Sequence, residues 1–167
     1  RLAPRSTRTV AFGQLESVWP VHGSVLVLDG LAYAAAGRSS FLDGGVRVFA
    51  LEPRTGKIVH QTCIEGPRPN LETDVGEPFS MEGTFSDVLV TDGEDLFMQQ
   101  VAMTKTLEQK DLPPVTHMGD KRFGRHVFAT GGFLDDSSWN RNFWMHSGRY
   151  PGFYMAHQAP MSGQLLT

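Results

Sequence analysis

Cysteine is nearly absent: Cys63 is the only one in 167 residues. An internal disulfide, a Cys-x-x-Cys metal knuckle and covalent haem attachment each need at least two thiols, so the chain supports none of them by itself. Apolar runs long enough to span a membrane are missing as well, and Arg1 to Thr9 lack the apolar stretch of a signal peptide. The histidines His60, His117, His126, His146 and His157 show no spacing of the His-x-x-x-His kind, which argues against a zinc site. No phosphate loop, nucleophile elbow or dinucleotide fingerprint occurs. Charge of one sign is also lacking. Fifteen Lys and Arg against 18 Asp and Glu leave a net charge of −3, so neither nucleic acid nor anionic lipid is an expected partner. The one basic cluster, Lys121, Arg122 and Arg125, is interrupted by Phe123 and Gly124 and reads as a solvated loop.

Turn formers are plentiful. Eighteen glycines and ten prolines suit many short strands rather than helices. Ser24-Val-Leu-Val-Leu28 and Leu31-Ala-Tyr-Ala-Ala-Ala36 flank Asp29-Gly30, a strong hairpin signal, because a tight primed turn needs positive φ. After a loop over Arg38 to Gly44, Gly45 to Leu51 alternates. Pro53-Arg-Thr-Gly56 forms a turn, and Lys57 to Ile64 makes a fourth strand that places Cys63 as a small buried hydrophobe. Four antiparallel strands in about forty residues match one propeller blade, here residues 24–64. Gly66 to Gly83 reads as a loop. Val88-Leu-Val-Thr-Asp92-Gly93 then repeats Val25 to Gly30 about sixty residues later. A second, degenerate blade is therefore expected from about residue 87. Asp95 to Val101 is expected as its next strand, and Thr104 to Leu107 takes the place of the Pro-Arg-Thr-Gly turn. Further strands are expected at 126–130, 142–146 and 152–156, with Phe133-Leu-Asp135 echoing Phe41-Leu-Asp43 between strands. The chain opens on Arg1 and stops in the strand-like Leu165-Leu166-Thr167, so the expectation over 1–167 is one incomplete segment of a longer protein.

Val48-Phe-Ala-Leu-Glu52-Pro-Arg-Thr55-Gly56-Lys57-Ile-Val-His60 resembles the repeat of pyrroloquinoline-quinone-type (PQQ-like) β-propellers, with Glu52 where the family has Asp and His60 where it has Trp. The stretches from Trp19 to Gly45 and from Phe133 to Trp139 look like the same group of bacterial repeat proteins. The resemblance implies an all-β partial propeller of four-stranded antiparallel blades. It implies the remaining blades as partners, and a periplasmic or otherwise extracytoplasmic location. Quinone and calcium enter only by this analogy. The quinone enzymes use a pair of adjacent cysteines, which Cys63 cannot supply alone, so no cofactor is expected within this chain.

If successive loops gather at the ends of the blades, His22, Arg38, Asp43, Asp135, Trp139 and Arg141 face a shared polar cavity suited to an anionic or sugar-like ligand. The plainer alternative is a structural ion pair between Arg38 and Asp43 within one loop. Asp135-Asp136 is open to two readings: a hard-cation ligand or acid–base pair, or caps of a Gly/Ser-rich turn. The aromatic set Phe143, Trp144, Tyr150, Phe153 and Tyr154 reads as core rather than as a stacking platform. The functional expectation is a non-catalytic scaffold or a surface binding a protein or small polar ligand. Its competitor is a fragment of a quinone-dependent oxidoreductase or carbohydrate-active propeller enzyme. A lectin-like β-sandwich is the third reading.

Overall fold

Asp29 and Gly30 take φ of 49° and 80° and close a two-residue turn that sets Leu28 directly against Leu31. This hairpin starts the first of two sheets of the same design in the computed structural model, which describes residues 7–11, 13–21, 23–66, 83–110, 126–129 and 144–147. Its strands are β3 (Leu26–Leu28), β4 (Leu31–Ala36), β5 (Val46–Leu51) and β6 (Ile58–Ile64), four neighbours in chain order and all antiparallel. They follow a shorter hairpin, β1 (Arg8–Ala11) with β2 (Gln14–Ser17). A bulge between Ala50 and Leu51 shifts the β5–β6 register next to the Pro53 turn. There the Glu52 carboxylate accepts the N–H groups of Arg54 at 3.0 Å and Thr55 at 2.7 Å.

The second sheet repeats the order with β7 (Leu89–Thr91), β8 (Leu96–Met98), β9 (Val101–Met103) and β10 (Gln109–Lys110). Two sequence expectations change here. Asp95 to Val101 is not one strand: Gln99, at φ 50°, turns the chain so that Met98 pairs with Val101. The second sheet also keeps its fourth strand, because Gln109 and Lys110 pair with Met103 and Ala102. The Asp92-Gly93 hairpin is longer than its counterpart. Thr91 pairs with Leu96, and Asp92 Oδ1 accepts the N–H groups of Glu94 at 3.0 Å and Asp95 at 2.8 Å. A third antiparallel pair joins β11 (His126–Ala129) to β12 (Trp144–Ser147). The strand expected at 152–156 lies outside the described residues. All the regular structure of the described residues is strand.

Alternation puts Tyr33, Ala35, Val46, Val48, Ala50 and Ile64 on one face of the first sheet. They share a core with Leu89, Leu96, Met98, Val101, Met103 and Leu107 of the second. Each fully buried aliphatic side chain there contributes about 1.5–3 kcal/mol, and this shared face holds the two sheets together. The opposite faces are also used. Val18 and Trp19 cover Ala36 and Phe49 on the first sheet. On the second, the Phe97 ring stacks on His126 of β11 with centroids 4.1 Å apart. Polar links span the two sheets as well: Tyr33 Oη donates to the Lys105 carbonyl at 3.0 Å, Lys105 Nζ to Asp29 at 2.6 Å, and Gln109 Nε2 to the Cys63 carbonyl at 3.0 Å. Among the described residues no helix is long and apolar enough to cross a membrane.

Candidate functional site

In a meander the connections alternate between the two ends of the sheet. The β4–β5 loop, the segment leading into β7 and the β8–β9 turn therefore gather at one end, where they form a polar seam. Ser39 bridges Phe85. Ser40 N–H donates to the Thr84 carbonyl at 2.8 Å, Ser86 N–H to the Arg38 carbonyl at 3.1 Å, and Gly66 N–H to the Ser40 carbonyl at 2.7 Å. Backbones approach closely enough here to require glycine. A Cβ on Gly45 (φ 85°) would lie 2.3 Å from the Ile64 carbonyl oxygen, and one on Gly37 would lie 2.8 Å from the Gly45 oxygen.

Side chains complete the seam. Gln99 Oε1 lies 3.1 Å from Thr84 Oγ1 and accepts the Phe85 N–H at 3.1 Å. His126 Nε2 meets the Gln99 carbonyl. A carbonyl can only accept, so Nε2 carries the proton in that contact. Ser39, Ser40, Thr84, Ser86, Asp87, Gln99 and His126 are all buried. Buried polar groups at this density rigidify what they hold when they are hydrogen-bonded. What they hold is a loop tip with Phe41, Leu42 and Phe85 half or more exposed.

Of the residues singled out in the sequence, the structure brings together Arg38 and Asp43. Arg38 Nη2 donates to Asp43 Oδ2 across the tip of the β4–β5 loop, with Asp43 at φ 56°. Their side chains remain 34% and 29% exposed, so the pair is open to solvent. His22, Asp135, Asp136, Trp139 and Arg141 lie outside the described residues. Ser40, Thr84, Gln99 and His126 went unnoticed in the sequence. The only available signal was the pair of glycine-flanked small polar runs, Gly37-Arg-Ser-Ser40 and Gly83-Thr-Phe-Ser86, which now prove to be hydrogen-bonded to each other.

Cys63 is half-buried rather than fully buried as expected, and stands opposite Arg47 across β5–β6. Its S–H donates to the Gly44 carbonyl at 3.2 Å. Burial pushes the thiol pKa up, and Glu65 adds to that against the opposing pull of Arg47. The raised pKa makes the Cys63 thiol harder to ionise, and so less nucleophilic, than a free cysteine. At the other end of the sheets, burial and the Asp29 charge raise the Tyr33 hydroxyl, while Lys105 opposes them. Among the described residues no group of three His, Cys, Asp or Glu side chains is placed to hold a metal ion. The seam's chemistry is that of a braced surface: the Arg38–Asp43 pair, the bonded Ser40 and Thr84 hydroxyls and Gln99 amide, an enclosed Ser86 hydroxyl and Arg38 Nε without partners among the described residues, and apolar side chains at the tip. Comparison with protein-family models, with curated proteins and with solved structures finds no match to this chain.

Proposed function

We propose that the chain is a segment of a β-propeller of the PQQ-like repeat type, serving as a non-catalytic scaffold and as a surface that binds a protein or a small polar ligand. The observation that carries this reading is the stacking of consecutive four-stranded meanders. The first and second sheets have the same strand order and share a core between facing sides. The far side of each is covered in turn by Val18 and Trp19 or by His126. A propeller needs sheets that pack on both faces in chain order, whereas a two-layer sandwich leaves each sheet one outer face.

The scaffold reading is supported by the seam, where the side chains of Ser40, Thr84 and Gln99 bond to one another and to backbone. The remaining blades of the propeller are the partners this reading implies, and an extracytoplasmic location comes with the family likeness. No quinone is expected within this chain, whose single cysteine, Cys63, cannot by itself supply the adjacent pair that the quinone enzymes use.

Two measurements test the proposal. An experimental structure of the complete protein is expected to arrange the sheets around an axis, and two opposed layers would overturn the fold. Titration of the same protein with pyrroloquinoline quinone and calcium, followed by quinone absorbance and dye reduction, is expected to show neither binding nor turnover. Saturable quinone binding would replace the scaffold reading with an oxidoreductase.

A further inference from the structure

An aspartate followed by glycine is a step of the main chain open to cyclisation, because glycine has no side chain to hinder attack by its own nitrogen. Three such steps occur: Asp29-Gly30, Asp43-Gly44 and Asp92-Gly93. Their surroundings differ. At Asp92 both reacting groups are occupied. Gly93 N–H, which carries the nucleophilic nitrogen, donates to Thr91 Oγ1 at 3.0 Å. The Asp92 carboxylate accepts the N–H groups of Glu94 and Asp95 at 3.0 Å and 2.8 Å.

Asp43 lies in a primed turn, with φ of 56° at Asp43 and 78° at Gly44, closed by Gly45 N–H on the Leu42 carbonyl at 2.9 Å. Its carboxylate is paired with Arg38 and is 29% exposed. A guanidinium keeps its protons and so keeps that carboxylate ionised. The Gly44 carbonyl is anchored as well, by the Cys63 S–H at 3.2 Å.

Asp29 is the least restrained of the three. Positive φ at both Asp29 and Gly30 makes their turn type I′. The Asp29 side chain is 62% exposed, so solvent screens its pair with Lys105. Gly30 is exposed, and its N–H is bonded to no described residue. Turning over the peptide plane between them converts type I′ into type II′, with Asp29 still at positive φ and ψ at about −120°. That rotation swings the Gly30 nitrogen to the side of the Asp29 Cβ, within reach of Cγ. Both primed turns suit a two-residue hairpin, so Leu28 stays opposite Leu31. Type II′ favours glycine at its first central position, so the flipped turn is a minor state, and it is the one that reacts.

We propose that the Asp29-Gly30 bond is a modification site, where this chain converts to isoaspartate. The Gly30 nitrogen attacks Cγ of the protonated carboxyl, forming the N–Cγ bond while a Cγ–O bond breaks. The hydroxyl leaves as water with the Gly30 amide proton. A water molecule then opens the five-membered imide. Cleavage at Cγ restores aspartate, whereas cleavage at the main-chain carbonyl leaves the chain running through Cβ and Cγ. Nothing is oxidised or reduced, and the mass is unchanged. The product adds one methylene to the main chain of a turn that fixes the β3–β4 register, and it displaces the carboxylate facing Lys105. The site does not depend on the propeller assignment.

The test holds the intact protein in neutral buffer at body temperature for several weeks, with a parallel sample in guanidinium chloride. Both are digested, and isoaspartate is read at each of the three positions by electron-transfer fragmentation. In the folded protein it should build up at Asp29 at least about threefold faster than at Asp43 or Asp92, equivalent to about 0.65 kcal/mol of barrier. In guanidinium chloride, where the turns and their bonds are gone, the three rates should converge. Absence of isoaspartate at Asp29 in the folded protein, or equal amounts at Asp43 or Asp92, would overturn the site. A lead for Asp29 that persists in guanidinium chloride would do the same, because it would trace to local sequence alone.

Discussion

Gly56 and Leu107 occupy the same position in two successive turns, with φ of 70° and 66°. Each turn is bracketed by a matching backbone contact: Glu52 N–H to the Lys57 carbonyl at 2.9 Å in the first, and Thr104 N–H to the Glu108 carbonyl at 2.8 Å in the second. Left-handed backbone is natural for glycine and strained for leucine, by about 1–2 kcal/mol. Leu107 compensates by burying its side chain in the shared core, where it is 2% exposed. Gly56→Ala meets no atom within 4 Å, so it should cost only the backbone strain, about 1 kcal/mol. Leu107→Gly relieves that strain but gives up the packing of a buried leucine, and should be net destabilising by about 1–4 kcal/mol. Urea denaturation of the two variants checks both values; a stabilised Leu107→Gly would mean its side chain packs against nothing.

The seam supplies a sharper contrast between two adjacent glycines. Gly44 and Gly45 both take positive φ, 78° and 85°, but only Gly45 is crowded. Its added Cβ would press on the Ile64 carbonyl, whereas one on Gly44 meets no atom within 4 Å. Gly44→Ala is expected to lower stability by about 1 kcal/mol. Gly45→Ala should do far more, because backbone must move where β5 and β6 pair. Thermal melts read by circular dichroism give the comparison, and equal losses would mean that the close approach is not a constraint.

Much of this architecture is legible in the sequence because its turns need unusual backbone. Asp29-Gly30 and Gly56 announce themselves, since few other residues accept positive φ. Gln99-Gln100 does not: Gln99 turns the chain at φ 50° inside the stretch from Asp95 to Val101 that reads as one strand. The echo of Val25 to Gly30 at Val88 to Gly93 located the second sheet, while its two-residue β10 leaves almost no pattern to read. The candidate site is less legible still. Arg38 and Asp43 are five residues apart and could be paired on paper. Thr84 and Gln99 meet only once β7, β8 and β9 are paired, and Ser40 meets Thr84 only once the two sheets are stacked, steps that no local periodicity encodes.

Tyr33 and Lys105 test whether the two sheets are joined by a specific bond or by apolar contact alone. The Tyr33 ring is 1% exposed, and its hydroxyl donates to the Lys105 main-chain carbonyl at 3.0 Å. Tyr33→Phe keeps the ring and deletes the bond, so a loss of about 0.5–1.5 kcal/mol is expected in urea. Lys105→Ala leaves that carbonyl in place and removes only the exposed ion pair with Asp29, whose side chain is 62% exposed. Solvent screening makes such pairs weak, so Lys105→Ala should be the milder change. The reverse ranking would show that the side-chain charge, not the hydroxyl, carries the link.

Acid should loosen the Pro53 turn through Glu52. The Glu52 carboxyl pKa is held below its ordinary value of 4.5, first by the hydrogen bond from the Thr55 side chain and then by that from the Arg54 N–H. A folded-state pKa below the unfolded one means the ionised form is favoured by folding. Its contribution is therefore complete above about pH 4.5 and is lost as pH falls through the lower, folded value. Glu52→Gln cannot ionise, so it lacks this part of the pH dependence at every pH. Urea midpoints measured from about pH 7 to about pH 3 should fall more steeply in the unmodified protein than in Glu52→Gln, and the curves should separate most at neutral pH. Parallel curves would show that the carboxylate does not hold the turn, and the bulge at Ala50 and Leu51 would then be the feature that sets its geometry.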